Sequence, residues 1–152
     1  MGRIQLALNV NDIDEAVTFY SKLFNTGPAK RRPGYANFAV IEPPLKLVLL
    51  ENPGQGGSIN HLGVEMPDVE SVDATQTRLA ADGLASIDER GTTCCYAKQD
   101  KFWVQSAPNG EQWEVYTVLE DSMTFDAEAD GGPACCATDV NESEGAEASA
   151  CC

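Results

Sequence analysis

The sequence predicts an α+β domain made of two successive βαβββ modules, followed by a disordered acidic tail. Three observations support this prediction. Segments with the alternation typical of strands surround two segments of helical periodicity. The first pattern recurs 56 positions later, so that Gln5 corresponds to His61. The segment after about residue 119 shows neither periodicity and is rich in small and acidic residues, a composition typical of disorder.

The first module begins with a strand at residues 3–10. Asp12 then opens a helix, because Asp12 and Glu15 have the spacing of a helix-capping pair. The helix carries one apolar stripe at helical spacing. The stripe comprises Ile13, Ala16, Val17, Tyr20, Leu23 and Phe24, and strands follow at 28–32, 35–41 and 45–51.

The second module follows a glycine-rich linker at residues 52–57. This linker lacks the Lys-Ser or Lys-Thr pair and the helix that a phosphate-binding loop requires. The second helix is expected to bury Val69, Val72, Leu79 and Ala80. The predicted strands are 84–89, 101–106 and 112–118, and the predicted organisation is a domain at 1–119 (module one 1–51, linker 52–57, module two 58–119) with a tail at 120–152.

The charge of the chain argues against two classes of function. The formal net charge is −14, and residues 120–152 contain nine acidic residues and no Lys or Arg. No basic face is available to neutralise phosphates, so nucleic-acid binding is not expected. No apolar run approaches the length of a membrane span or of a secretory signal. We therefore expect a cytoplasmic protein without membrane partners.

All six cysteines occur as adjacent pairs. Neighbouring Cα atoms lie about 3.8 Å apart, below the usual spacing of about 4.4–6.8 Å for a disulfide. In a reducing compartment these pairs are therefore expected to be dithiols, which chelate soft, thiophilic elements. The first pair follows Gly91-Thr92-Thr93 and is expected on a loop that has no counterpart in the first module. The pairs are Cys94-Cys95, Cys135-Cys136 and Cys151-Cys152.

The repeat also predicts a metal site. Gln5 and His61 occupy equivalent positions in the first strands of the two modules, and alignment of the last strands places Glu114 opposite Leu47. An amide oxygen, an imidazole and a carboxylate leave coordination positions open, which suits Fe(II) with dioxygen better than zinc. Taken singly, Gln5 has a simpler interpretation as a solvent-facing strand residue, and Glu114 as ordinary alternation.

Beyond this pattern, the segments NHLGVE, GTTCCYAKQDKFWV and PNGEQWEVYTVLED resemble those of the carbon-arsenic bond lyases, also known as cadmium-induced proteins. That family belongs to the vicinal-oxygen-chelate superfamily, the glyoxalase and extradiol-dioxygenase group, whose fold consists of paired βαβββ modules. The resemblance covers residues 1 to about 125. The combination of TTCC with NHLGVE and EQWEVYTV is its specific element.

The resemblance implies an activity and a site. Cys94 and Cys95 would bind a trivalent organoarsenical, such as methylarsenite or an aromatic arsenical. Gln5, His61 and Glu114 would hold Fe(II), which with dioxygen cleaves the carbon-arsenic bond to give arsenite. Gln5 departs from the commoner triad of two histidines and a carboxylate. A homodimer is the expectation that the family gives.

Two other functions stay open at this point. A protein that sequesters As(III) or Cd(II) through its dithiols, without turnover, would also use paired cysteines. A glyoxalase or antibiotic-resistance function would use the metal site and have no need of the thiols. The roles of Cys135, Cys136, Cys151 and Cys152 are not predicted.

Overall fold

Two helices pack against one face of a curled eight-stranded sheet and leave the other face lining a cavity. This is the arrangement in the computed structural model, which describes residues 2–125. The strands are β1 (Arg3–Val10), β2 (Lys30–Arg32), β3 (Tyr35–Val40), β4 (Leu45–Glu51), β5 (Ile59–Glu65), β6 (Ser86–Cys94), β7 (Ala97–Val104) and β8 (Trp113–Asp121), and the helices are α1 (Ile13–Leu23) and α2 (Val69–Ala81).

The strand order in the sheet is β2-β3-β4-β1-β5-β8-β7-β6. Strand β1 pairs with β4 in parallel and with β5 in antiparallel orientation, and β5 pairs with β8 in parallel. Strand β1 with its helix and three strands precedes β5 with the same succession. The predicted α+β class is confirmed, and the first strands of the two halves meet at the centre of the sheet.

Helix α1 begins where the sequence predicts. The Asp12 side chain accepts a hydrogen bond from the Glu15 backbone N–H at 2.8 Å, which satisfies a donor at the helix start. The packed faces are narrower than predicted. At the end of α1, Leu23 is 59% exposed. On the face of α2 that was expected to be buried, Val72 is fully buried but Ala80 is exposed.

Strands β6 and β7 form a hairpin that differs from the prediction. The predicted strands at 84–89 and 101–106 are too short, because the segment between them was interpreted as an inserted loop. Gly91 has a φ of +60° at a register shift between Glu89 and Thr92. It therefore introduces a β-bulge into the strand rather than ending it.

Strand β8 extends to Asp121, beyond the predicted end at residue 118. Within residues 2–125, no helix is long and apolar enough to cross a membrane. The cysteine pairs at 135–136 and 151–152 lie outside the described residues.

Candidate active site

Three neighbouring strands bring the predicted metal ligands to one place. Gln5 on β1 and Glu114 on β8 both pair with Gly63 on β5, one from each side. His61 precedes Gly63 by two residues and therefore faces the same side of the sheet. Three residues that are distant in sequence thus form a cluster at the centre of the sheet.

The cluster is compact and buried. The Gln5 Nε2 atom lies 2.8 Å from Glu114 Oε1 and 3.0 Å from His61 Nε2. The His61 Nε2 to Glu114 Oε1 distance is 3.4 Å. The three residues are at most 4% exposed. These donors would therefore act on a ligand with little competition from bulk water.

Neighbouring groups set the state of the imidazole. The His61 Nδ1 atom lies 2.8 Å from Asn60 Oδ1, and Asn60 in turn donates from its amide to Asn9. Because Asn60 presents an oxygen, His61 donates its Nδ1 proton there, and the Nε2 lone pair faces the cluster.

A buried lysine keeps the carboxylate ionised. Lys101 is fully buried, and its Nζ lies 3.2 Å from Glu114 Oε2 and 3.4 Å from Glu89 Oε2. Burial alone would raise the pKa of Glu114, but the positive charge of Lys101 is the largest opposing influence, and the pKa lies at about 2. Glu114 is therefore an anion at neutral pH.

A tyrosine holds the other end of the Gln5 amide. The Tyr116 hydroxyl donates to Gln5 Oε1 at 2.5 Å and lies 3.3 Å from Glu65 Oε2. Burial raises the pKa of Tyr116 well above its ordinary value, and the nearby carboxylates Glu65 and Glu114 raise it further, so the hydroxyl keeps its proton.

The donor set fits a divalent cation. No group of three His, Cys, Asp or Glu side chains that could hold a metal lies within residues 2–125, but here an amide supplies the third donor beside His61 and Glu114. An amide binds a cation through its oxygen, so Gln5 would have to exchange its Nε2 and Oε1 positions. Tyr116 tolerates this exchange, because its hydroxyl can accept from the amide and donate to Glu65 instead.

A cavity of about 280 Å³ connects this cluster with one of the predicted thiols. Gln5 and Glu114 line the cavity on the sheet side, and Cys95 lines it as well. Three cationic side chains also belong to the wall: Arg3, Lys30 and Lys46.

The two cysteines of the first pair occupy different positions. Cys94 is the last residue of β6 and is fully buried, which corrects the predicted loop position for this residue. Cys95 is half-buried and lies in the turn. The two Sγ atoms are 3.3 Å apart.

The turn that carries Cys95 has an uncommon backbone. Cys94 pairs with Ala97, so Cys95 and Tyr96 are the two central residues of a tight hairpin turn. Their φ values are +53° and +61°, the left-handed values of a turn that favours Asn and Gly. The Tyr96 carbonyl accepts hydrogen bonds from Lys30 Nζ at 2.9 Å and from the Ser122 N–H at 2.8 Å. These contacts fix the turn at the cavity.

Several residues of the site were not singled out from the sequence as site residues. Gly63 permits the close approach of Gln5 and Glu114, and the glycine in NHLGVE is the signal that could have indicated it. The burial of Lys101 could not be expected from the sequence, because a single lysine in a strand pattern does not reveal burial. The others are Tyr116, Glu65 and Gln99.

Comparison with known proteins places the chain in a family. The model of the glyoxalase, bleomycin resistance protein and dioxygenase superfamily matches residues 3–115. The cadmium-induced protein CadI of Mycobacterium tuberculosis is 58% identical over 152 residues, covering 100% of this chain and 93% of that one. The trivalent organoarsenical cleaving enzyme of Thermomonospora curvata is 51% identical over 153 residues, covering 100% of both chains.

A solved structure supports the same fold. The Mn(II)-bound glyoxalase from Novosphingobium aromaticivorans matches 84% of this chain and 43% of its own, at a TM-score of 0.56 and 19% identity. Identity at this level is evidence for the fold alone. The sequence match and the fold agree, and the chain belongs to the glyoxalase, bleomycin resistance protein and dioxygenase superfamily.

Proposed function

We propose that this protein cleaves the carbon-arsenic bond of trivalent organoarsenicals to give arsenite, with Fe(II) and dioxygen, in arsenic detoxification. One observation carries the proposal. A single cavity is lined both by the Cys95 thiol and by two members of the Gln5, His61 and Glu114 cluster. The relative named as a trivalent organoarsenical cleaving enzyme supports the substrate class.

The cysteines hold the substrate in this proposal. Thiolates replace hydroxyl ligands on As(III) because arsenic is thiophilic. Cys95 lines the cavity, and the Cys94 sulfur is 3.3 Å from it. The chemistry requires both in the reduced state, which a cytoplasmic location would maintain. Two bonds to arsenic would fix the organic group in one orientation.

Gln5, His61 and Glu114 would hold the metal. Bound Fe(II) would supply the site at which dioxygen is activated for oxidation of the carbon attached to arsenic. The residues would contribute an imidazole, an amide and one negative charge, and the contact with Lys101 stabilises the ionised form of Glu114. For methylarsenite and one dioxygen molecule, the balanced products are arsenite and formaldehyde.

A sequestering protein without turnover is the principal rival. Chelation alone has no use for a buried amide, imidazole and carboxylate that meet within 3.4 Å. A function of the glyoxalase or antibiotic-resistance type would use this cluster without the thiols. A homodimer, as the family suggests, stays a prediction.

The decisive experiment measures products. Reduced protein loaded with Fe(II) is incubated with methylarsenite under air, and arsenite and formaldehyde are quantified. We expect both products in equal amounts, and only when Fe(II) and dioxygen are present together. Stoichiometric binding of arsenic without release of arsenite would overturn the proposed reaction in favour of sequestration.

Two substitutions separate capture from chemistry. Cys95→Ser is expected to reduce capture of methylarsenite by at least about 100-fold, because a hydroxyl is a poor ligand for arsenic. Glu114→Gln should keep capture but lose Fe(II) binding and turnover. Glu111→Gln is the matched control, since Glu111 is an exposed carboxylate in the same part of the chain. Full turnover by the Cys95→Ser protein would contradict the assignment of the thiol.

A further inference from the structure

A buried polar atom without a hydrogen-bond partner belongs to a residue that lines the cavity. Gln99 on β7 is 5% exposed and lines the same cavity as Cys95 and Glu114. Its Nε2 donates to the Cys94 backbone carbonyl at 3.4 Å. Its Oε1 is buried and has no hydrogen-bond partner among the described residues. The side-chain amide of Gln99 is thus hydrogen-bonded through Nε2 to the β6–β7 hairpin that carries the cysteines, and its Oε1 acceptor has no partner.

A buried acceptor without a partner is uncommon and destabilises the folded state. The carboxylates of the cavity wall are paired with cationic side chains. Glu65 is paired with Arg3, Glu114 with Lys101, and Asp121 with Lys30. Gln99 Oε1 therefore stands out as an unsatisfied acceptor, which a ligand with a hydrogen-bond donor would satisfy.

The proposed reaction creates such a donor at arsenic. A methylarsenical held by two cysteine sulfurs has the form CH₃–As(SCys)₂ and carries no O–H group. Addition of dioxygen gives HO–As(SCys)₂ and formaldehyde, which balances all atoms. The carbon loses four electrons, dioxygen gains four, and arsenic stays As(III). Turnover thus replaces a carbon-arsenic bond by an arsenic hydroxyl.

We infer that Gln99 Oε1 accepts a hydrogen bond from the arsenic hydroxyl that forms as the carbon-arsenic bond breaks. This inference rests on the proposed function. This hydrogen bond is present in the product and begins to form in the transition state, as oxygen bonds to arsenic. The dithiolate-bound substrate cannot form it, because it carries no hydroxyl group. An interaction of this kind increases kcat without tightening substrate binding. Gln99 is thereby a catalytic residue that interacts with the bound product, in which arsenic carries a hydroxyl, and not with the bound substrate, in which arsenic carries an organic group.

The test uses two arsenicals on the reduced, metal-free full chain. Arsenite keeps one hydroxyl after binding two thiols, and phenylarsenite keeps none. For Gln99→Leu we expect the Kd for arsenite to rise by about tenfold, the effect of one lost hydrogen bond, and the Kd for phenylarsenite to change by less than about twofold. Isothermal titration calorimetry measures both. Gln99→Met is the second variant, and Gln55→Leu, at an exposed glutamine, is the matched control.

Each result of the two titrations either supports or contradicts the hydrogen bond from the arsenic hydroxyl to Gln99. Selective weakening of arsenite binding supports the inference, and the iron-loaded variants should then show a lower kcat at nearly constant KM. Equal weakening of both arsenicals would mean that Gln99 only supports the hairpin through the Cys94 carbonyl, and unchanged binding of both would remove its role. If the unsubstituted chain binds neither arsenical, the proposed function itself falls.

Discussion

At the scale of single residues, Gly63 determines how closely the candidate metal ligands can approach. A Cβ atom at this position would lie 3.2 Å from Gln5 Cβ and 3.2 Å from Glu114 Cγ. Both distances are shorter than ordinary van der Waals contact, so the neighbouring strands would have to shift by a few tenths of an ångström. A metal site is sensitive to shifts of this size, because its donor atoms must keep their positions.

Gly63→Ala is therefore expected to weaken Fe(II) binding by about tenfold or more, since second-layer changes at metal sites have effects of this order. Anaerobic titration with Fe(II) measures the affinity. Gly27→Ala serves as the control, because a Cβ at Gly27 meets nothing within 4 Å. Unchanged Fe(II) affinity in the Gly63→Ala protein would show that the cluster does not need this close approach.

The sequence could predict part of this site. The repeat offset related Gln5 to His61, and alignment of the final strands indicated Glu114, because internal repetition reports equivalent positions in a sheet. Gln99 and Lys101 could not be predicted in the same way. The importance of Lys101 depends on its burial, and that of Gln99 on its burial and its unpaired oxygen. Both properties follow from the curvature of the sheet and not from the local sequence pattern.

At the scale of elements, the hairpin turn between β6 and β7 combines left-handed backbone with side chains that do not favour it. Tyr96 contacts the rings of Tyr35 and Phe125, with centroid distances of 5.2 and 5.4 Å. The left-handed conformation costs a residue with a Cβ about 1–2 kcal/mol. The ring contacts, together with the hydrogen bonds to the Tyr96 carbonyl, offset that cost and hold the Cys95 thiol at the cavity.

A pair of substitutions isolates the backbone cost. Tyr96→Ala and Tyr96→Gly both remove the ring, and we expect the glycine variant to be the more stable by about 1 kcal/mol, because only glycine accepts this φ without strain. Urea unfolding measures the difference. At Phe19, an exposed residue inside α1, the order should reverse, with the alanine variant more stable by about 1 kcal/mol. The same order at both positions would contradict the strained turn.

The bounds of this hairpin show what sequence patterns miss. Gly91 and the two threonines after it were interpreted as irregular structure, yet the strand continues through a bulge to Cys94. Glycine is common both in loops and in β-bulges, so a glycine in a strand pattern does not show which of the two is present. The first module contains no such bulge among its paired strands β2 and β3, and its three strand segments were predicted to within two residues at each end.

At the scale of the whole molecule, the sheet curls so that distant segments of the chain meet over the cavity. Lys30 on β2 contacts the Tyr96 carbonyl and Asp121, although β2 and β6 are the two edge strands of the sheet. Phe125, beyond the last strand, contacts Tyr35 with a centroid distance of 6.2 Å. The segment after β8 thus helps to close the wall that carries the thiol.

Truncation tests this closure. A chain that ends after Asp121 lacks the Ser122 hydrogen bond and the Phe125 ring, whereas a chain that ends after Phe125 keeps both. We expect the shorter chain to be less stable by about 1–2 kcal/mol, the combined effect of one hydrogen bond and two aromatic contacts. Its affinity for phenylarsenite should fall as well. Thermal unfolding and calorimetry measure the two effects, and equal behaviour of both truncated chains would refute the role of this segment.

The overall architecture was predictable because the repeat constrains it globally. The weak similarity between the two halves of the sequence, at one constant offset, predicted the order of strands and helices. The structure has this order. The curvature that brings β2 near the β6–β7 hairpin was not predictable, since it arises from the twist of the whole sheet. The predicted end of the last strand at residue 118 fell short, because β8 continues to Asp121.

The central pairing of β1 with β5 joins the two halves of the sheet inside one chain. The candidate metal ligands lie on both sides of this seam, with Gln5 on one side and His61 and Glu114 on the other. They belong to the same polypeptide as Cys95 and Gln99. In this structure the side chains proposed for capture, metal binding and product contact all lie in one chain. We therefore expect the cavity to persist when the protein is diluted enough to separate associated copies.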